Sequence, residues 1–390
     1  MSTRNDIWTF FTVPFDVKVS EISTWYEGTT NWVIREYSGE NRAAGKTDST
    51  WVKLTSDDIL EARKGYIIQA SRYIGNEWQY YSGFDMPAIE NANKNNIFVN
   101  QDVTINLNEY LSEFAHNRSW NLVGNPYPCY YDTRHMSFSA PITIWDMNNK
   151  TYTAYSVIDD EYVLSPGQAF FVQTPVDNKT IVFSKTGRTI NKMTVPLNET
   201  RKTANTRGVN VTRSIINITI TDSIGSDKTR IVINDNASMQ YEMDKDASKF
   251  MSDDLSVPQI FTSYAGVNYA INERPMGNGM IELSLRITKD GEYTISMNRD
   301  NVLPFDVYLI DTKIDRKVLL SELGDYTFEA VAGEDENRFM IMLSNESIST
   351  GVEQVNDMSD SPIYNLQGIK VDKITLPGIY IQNGKKIIVE

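Results

Sequence analysis

The chain is dominated by short apolar runs rich in β-branched and aromatic residues and bounded by Gly, Pro, Asn or Asp. Ile216, Ile218 and Ile220 alternate with Asn217 and Thr219, which is the period of a strand with one buried face. Comparable runs recur at 65–69, 142–145, 169–173, 180–183, 230–233, 292–297, 307–310 and 338–343. Many short strands separated by turns predict an all-β protein built from β-sandwiches.

Two segments have a helical pattern instead. One has apolar residues on a single helical face, at Leu107, Tyr110, Leu111 and Phe114. The other begins at Ser56, a good N-cap residue, and continues to residue 61. Each predicts one short helix.

Composition changes abruptly along the chain. All seven tryptophans, both histidines and the single cysteine lie between Trp8 and Trp145. Polar stretches at 198–208 and 344–361 mark two boundaries, and the second contains no Lys or Arg and is followed by Pro362. We therefore predict tandem β-sandwich domains over 1–195 and 209–344, a linker over 345–361 and a small C-terminal β-hairpin module over 362–390.

The first predicted domain contains an internal pseudo-duplication. Trp8 and Pro14 have the same spacing as Trp120 and Pro126. Each pair is followed by a strand-like run and then by a glycine that opens a run ending in Gln, at 32–37 and 65–69 in one case and at 142–145 and 167–173 in the other. Chance recurrence of strand and turn signals is the alternative explanation.

Charge and composition exclude several classes of protein. The net charge of −14 repels phosphate backbones, so we expect no nucleic-acid partner. One cysteine and two histidines cannot form an internal disulfide or a thiolate metal cluster. No apolar run approaches the roughly 18 residues of a membrane-spanning helix. Phosphate-loop, dinucleotide, zinc-protease and serine-hydrolase motifs are also absent from the sequence.

Candidate catalytic residues are few. Cys129 and His135 are a conceivable nucleophile and base, but Cys129 follows Pro128 in an aromatic loop, which favours a packed and inert thiol. His116 follows the predicted helix and is expected to lie at its end. The 51 acidic residues always offer a pair of carboxylates for glycoside hydrolysis, but the sequence locates none. We predict no catalytic residues, no cofactor and no metal site.

Two alternatives concern ligands. The segments 146–149 and 159–161 are rich in oxygen donors for calcium, although polar turn chemistry explains them equally well. Tyr127, Tyr130 and Tyr131 either stack on a sugar face or form a loop packed on the sandwich.

Several motifs resemble those of large exported proteins of the Bacteroidetes. The segment Trp120–Pro128 resembles a motif common in such proteins, and 165–172 resembles the strand that follows it. The segments 256–261, 269–272, 291–295 and 337–339 are similar to a β-sandwich that precedes the tail in those proteins. The C-terminal runs 363–371, 376–381 and 385–389 resemble the type A sorting domain of the type IX secretion system. The resemblance implies a sorting motif formed by Tyr364, Asn365, Leu366, Gly368, Pro377, Gly378, Tyr380, Gly384 and Lys385.

The tail also has an interpretation of its own. Asn383 and Gly384 lie between two β-rich runs and predict a tight hairpin. Addition of edge strands to the preceding sandwich is the alternative. Exported relatives begin with a signal peptide, whereas residues 1–6 are polar, so we expect that the signal peptide is missing from this sequence.

These observations predict a non-enzymatic protein of the cell surface or extracellular space. Either the protein has a structural or adhesive role of its own, or it is the C-terminal part of a larger exported protein. The expected partners are the secretion machinery, through the tail, and a host glycan or protein. A carbohydrate-active enzyme or carbohydrate-binding module is the alternative, and a catalytic domain encoded upstream would favour it.

Overall fold

The computed structural model describes residues 8–24, 31–74, 77–80, 84–85, 100–177, 179–194, 213–298, 303–334, 336–344, 363–365, 370–371, 378–382 and 385–389. The chain forms two compact units, residues 1–346 and 347–390. The predicted boundary at 198–208 and the linker at 345–361 lie outside the described residues.

Residues 8–85 form the first repeat of the larger unit. Its described strands are β1 (Thr9–Thr12), β2 (Val17–Lys18), β3 (Ser23–Thr24), β4 (Asn31–Tyr37), β5 (Trp51–Lys53), β6 (Ile59–Leu60), β7 (Gly65–Ile74), β8 (Glu77–Tyr80) and β9 (Phe84–Asp85). A short helix, α1 (Gly39–Ala43), connects β4 to β5, and the Ser38 hydroxyl caps it by accepting from the Asn41 amide at 3.1 Å.

Residues 100–189 form the second repeat. Its described strands are β10 (Val103–Asn106), β11 (Trp120–Gly124), β12 (Tyr130–Asp132), β13 (Met136–Ser137), β14 (Ile142–Asp146), β15 (Thr151–Tyr155), β16 (Val163–Leu164), β17 (Ala169–Gln173), β18 (Thr180–Phe183) and β19 (Arg188–Thr189). Short 3-10 turns occur in both repeats, at Val19–Glu21, Thr47–Ser49, Ala115–Asn117, Thr133–His135 and Lys185–Gly187.

The two repeats have the same main strand order, β1-β7-β4-β5 in the first and β11-β17-β14-β15 in the second. Their short pairs, β2–β6 and β12–β16, also correspond. Thr12 pairs with Gly65 as Gly124 pairs with Ala169, and this register makes Trp8 the counterpart of Trp120. The same register makes Gln69 the counterpart of Gln173.

The glycines at 65 and 167 are not counterparts of each other. When the two repeats are aligned by their strand registers, Arg63 is the residue equivalent to Gly167. Both residues have positive φ angles, 71° for Arg63 and 67° for Gly167. This shared backbone conformation, rather than the glycine itself, is the repeated feature, because a left-handed turn is easiest but not obligatory for glycine.

The repeats meet through reciprocal hydrogen bonds. The Thr12 amide donates to the Gly167 carbonyl at 2.9 Å, and the Gly124 amide donates to the Arg63 carbonyl at 2.9 Å. The two backbones can approach closely because residue 124 is a glycine. A Cβ atom at this position would overlap the Thr12 side chain. Each repeat also has its own apolar core, around Phe11 and Tyr66 in the first and around Tyr131 and Phe170 in the second.

Residues 213–344 form one continuous sheet of eleven strands among the described residues. The strands are β20 (Ser214–Thr221), β21 (Ser226–Ile233), β22 (Ala247–Ser248), β23 (Gln259–Tyr264), β24 (Val267–Arg274), β25 (Met280–Arg286), β26 (Gly291–Met297), β27 (Asp306–Asp311), β28 (Arg316–Leu319), β29 (Asp325–Ala330) and β30 (Phe339–Ser344), with α2 (Leu320–Leu323) between β28 and β29. β28 and β29 end the strand order, yet Val318 and Phe328 belong to the same core. The sheet therefore curls around a single apolar core.

The C-terminal unit contains a four-stranded antiparallel sheet: β31 (Ile363–Asn365), β32 (Lys370–Val371), β33 (Gly378–Gln382) and β34 (Lys385–Val389), in the order β32-β31-β33-β34. Gln382 pairs with Lys385, so two residues connect β33 to β34.

The prediction of an all-β protein is confirmed, because the only α-helices in the described ranges are α1 and α2. No helix in this part of the chain is both long and apolar enough to cross a membrane.

Both sequence-predicted helices are wrong. At 107–114 the Asn108 amide donates to the Asn121 side chain at 2.9 Å and the Tyr110 amide donates to the Ser119 hydroxyl at 3.2 Å. These distant acceptors hold the segment in a non-helical loop. At 56–61 a turn leads into β6, because Leu60 pairs with Val17.

Candidate functional site

An aromatic cleft of about 280 Å³ lies in the larger unit, where side chains of both repeats meet. Its walls are Trp8, Phe10, Trp51, Ile67, Trp145 and Tyr152, and its polar groups are Arg35, Lys150, Asp253 and Asp254. We call this the aromatic cleft.

The sheets place the aromatic walls on facing surfaces. Trp51 is the first residue of β5, whereas Trp145 and Tyr152 pair with each other across β14 and β15. The rings of Trp145 and Tyr152 lie 4.8 Å apart, and that of Phe10 lies 5.7 Å from Trp51 and 6.0 Å from Tyr152. These contacts hold the aromatic walls in place.

Two buried donors of the cleft lack a partner. Arg35 Nε and Trp145 Nε1 are buried and make no hydrogen bond within the described residues. The Arg35 guanidinium lies 5.1 Å from the centre of the Trp8 ring, a cation–π distance. Both nitrogens are enclosed, so the polar groups that a ligand in the open cleft can reach are Lys150, whose side chain is 34% exposed, and Asp253.

The acidic side of the cleft is formed by Asp253, which is exposed, and Asp254. Lys150 Nζ lies 2.8 Å from Asp254 Oδ2, and the Ser256 amide donates to Asp254 Oδ1 at 2.7 Å. Burial raises the pKa of Asp254, but the hydrogen bonds from Lys150 and Ser256 outweigh burial and lower it to about 2. The cleft therefore contains two cations and two carboxylates, and its formal charge is zero.

The predicted sorting residues are only partly within the described segments. Tyr364 and Asn365 lie in β31, Gly378 and Tyr380 in β33, and Lys385 in β34. The register places Asn365 opposite Tyr380. Leu366, Gly368, Pro377 and Gly384 lie outside the described residues.

The residues that the sequence offers as a nucleophile and a base, Cys129 and His135, pack in or against the core of the second repeat. Cys129 packs on the core of the second repeat, and burial raises the pKa of its thiol. His135 is buried, with Nδ1 3.1 Å from the Thr186 hydroxyl. His116 ends no helix, because it lies in the turn Ala115–Asn117, and burial lowers its pKa.

The two calcium candidates contain carboxylates that already have partners. Asp146 accepts from the amides of Asn148 and Asn149 within its own turn. Asp159 forms an ion pair with Arg213 at 2.6 Å, and Asp160 with Arg230 at 2.7 Å. No group of three or more metal-ligating side chains occurs within the described ranges.

The tyrosine loop offers little surface for stacking. Tyr127 and Tyr131 are buried, with their rings stacked 5.6 Å apart, and the Tyr127 hydroxyl donates to the Phe183 carbonyl at 2.9 Å. These two side chains belong to the core of the second repeat.

Sequence reasoning missed the aromatic cleft. The concentration of tryptophan before residue 146 is the available signal, but by itself it indicates only a change of composition between two parts of the chain. Residues 8, 51, 145 and 254 come together only through the pairing of distant strands.

The fold and the cleft define an all-β protein in which a duplicated β unit contacts a large curled sheet. The family model described as "Domain of unknown function (DUF8693)" matches residues 129–343, more than half of the chain, and the chain therefore belongs to that family. Neither the curated proteins nor the solved structures include a significant match to this sequence.

Proposed function

We propose that the protein is a non-enzymatic, adhesive protein that is exported and displayed at the cell surface, and that residues 362–390 are the sorting module read by type IX secretion machinery. The observation that carries this proposal is the separate compact unit at 347–390 with its own four-stranded sheet. A module that folds as a compact unit of its own is suited to recognition by a receptor.

The aromatic cleft supports an adhesive rather than a catalytic role. A general acid near neutral pH needs a raised pKa, whereas the pKa of Asp254 is held at about 2. The remaining carboxylate, Asp253, is adjacent in sequence and exposed. Aromatic walls with a few polar groups are typical of binding sites.

Deletion of residues 363–390 tests the sorting role. In a host with type IX machinery, and with a signal peptide added, the truncated protein should accumulate in the periplasm while the full chain reaches the surface. Because residues 1–346 form their own compact unit, the melting temperature of that unit should change by less than about 2 °C.

A fusion supplies the control. Residues 345–390 attached to an unrelated, signal-bearing cargo should bring it to the surface, whereas residues 345–361 alone should not. Continued export of the truncated protein, or unfolding of residues 1–346 after the deletion, would show that the tail is a structural strand set.

A further inference from the structure

The duplication generates a counterpart of the aromatic cleft. The strand registers make Trp8 equivalent to Trp120, Trp51 to Tyr152 and Ile67 to Phe171. The first member of each pair lines the open cleft. The second members form an equivalent set of walls, and one of them, Tyr152, also lines the open cleft.

This second set of walls is filled by Phe250, which lies between β22 and β23 of the large sheet. Its ring centre lies 4.8 Å from Trp120, 4.7 Å from Phe171 and 5.5 Å from Tyr152. The Arg42 guanidinium lies 4.1 Å from the Phe250 ring centre. A flat six-membered ring beside a cation is therefore the shape that this architecture accommodates.

The open cleft presents the same shape with more polar groups. Arg35 of the open cleft is equivalent to Thr143 in the counterpart. Trp145 of the open cleft is equivalent to Tyr37 in the counterpart. Lys150, whose side chain is 34% exposed, adds donors to the cleft, and the Asp253 carboxylate adds an exposed acceptor. A phenyl ring satisfies none of these groups, whereas a ring with an apolar face and hydroxyls at its edge satisfies them while it stacks.

Size and charge restrict the ligand further. A volume of about 280 Å³ lies at the small end of ligand pockets, so the cleft accommodates one ring rather than a chain of rings. The formal charge of zero gives no net attraction for a charged sugar.

We propose that the aromatic cleft binds one neutral pyranose ring of a glycan, and that Phe250 occupies the equivalent position in the other half of the duplication. This inference rests on the adhesive role proposed above and names its ligand class. The ring stacks between Trp8 and Trp51, while its hydroxyls accept from Lys150 and donate to Asp253.

Calorimetric titration of the full chain tests this inference. The probes are neutral tetrasaccharides of glucose, galactose, mannose and N-acetylglucosamine, with tetragalacturonate as the charged probe and N-acetyl-phenylalaninamide as the aromatic probe. At least one neutral tetrasaccharide should bind with a stoichiometry of one and more tightly than the other two probes.

Variants locate the binding. Trp51→Ala should weaken binding by at least about tenfold, because it removes one stacking wall. Asp253→Ala leaves the aromatic walls in place but removes the exposed acceptor, and should weaken binding about three- to tenfold. Val52→Ala is the matched control, since Val52 is the next residue of β5 and is 39% exposed, and binding should be unchanged.

Three outcomes would overturn the inference: no neutral tetrasaccharide binds, binding is unaffected by Trp51→Ala, or N-acetyl-phenylalaninamide binds most tightly. The last outcome would make the cleft a site for an aromatic side chain. Because export is measured separately, these failures leave the sorting role intact.

Discussion

Asp254 connects the charge of the aromatic cleft to pH. Its ion pair with Lys150 spans 2.8 Å, and its pKa of about 2 lies below the ordinary value of 3.8. A depressed carboxyl pKa stabilises the folded state above about pH 4, and this stabilisation is lost as the pH falls through about 2.

Replacement of Lys150 by Met should therefore raise the pKa of Asp254 towards 3.8. NMR titration of the Asp254 carboxyl carbon measures this shift, and urea unfolding at pH 5 and pH 2.5 should show a smaller acid-induced loss of stability than in the parent protein. Lys18→Met removes an exposed ion pair with Asp57 and is the control. A midpoint near 3.8 in the parent protein would contradict this account.

At the scale of elements, the contact between β1 and β11 sets the distance between the repeats. Gly124 faces the Thr12 side chain without space for a Cβ, and each strand donates a backbone hydrogen bond to the other repeat. Close approach of two strands thus depends on one missing side chain.

Gly124→Ala should lower the free energy of unfolding by about 1–3 kcal/mol, because the added methyl group overlaps Thr12. Denaturant unfolding measures the loss. The double variant Thr12→Gly/Gly124→Ala should recover part of it, although Thr12→Gly alone removes the 2.8 Å hydrogen bond to the Lys64 carbonyl. Equal stability of Gly124→Ala and the parent protein would show that the strands separate easily.

At the scale of the larger unit, Phe250 joins the large sheet to the duplicated part. Ion pairs support the same junction, since Arg213 bridges Asp159 and Glu273. The Phe250 ring is buried among residues of the second repeat.

Phe250→Ala should cost about 3–5 kcal/mol of unfolding free energy, because it leaves a cavity between aromatic walls. Leu255→Ala is the control, since Leu255 is 59% exposed and its loss should cost less than about 0.5 kcal/mol. A loss below about 1 kcal/mol for Phe250→Ala would mean that the ring contributes little to the junction.

The sequence alone determined the all-β class, because the alternation of apolar and polar residues is a local property of each strand. The repeated spacing from Trp8 to Pro14 and from Trp120 to Pro126 marked two segments that have the same strand order in the structure. The helical spacing at 107–114 predicts a helix that does not form. The amides of this segment donate to the side chains of Asn121 and Ser119, and the periodicity of the segment contains no information about these acceptors.

Only the tertiary structure decided which aromatic residues are core and which form a site. Tyr127 and Tyr131 pack inside the second repeat, whereas Trp51 and Trp145 line an open cleft, although all four are aromatic residues of the duplicated region. Which half of the duplication is filled depends on Phe250, a residue far along the chain from both sets of walls. Strand pairing over long separations brings these residues together, and such contacts are not encoded in the neighbours of any one residue.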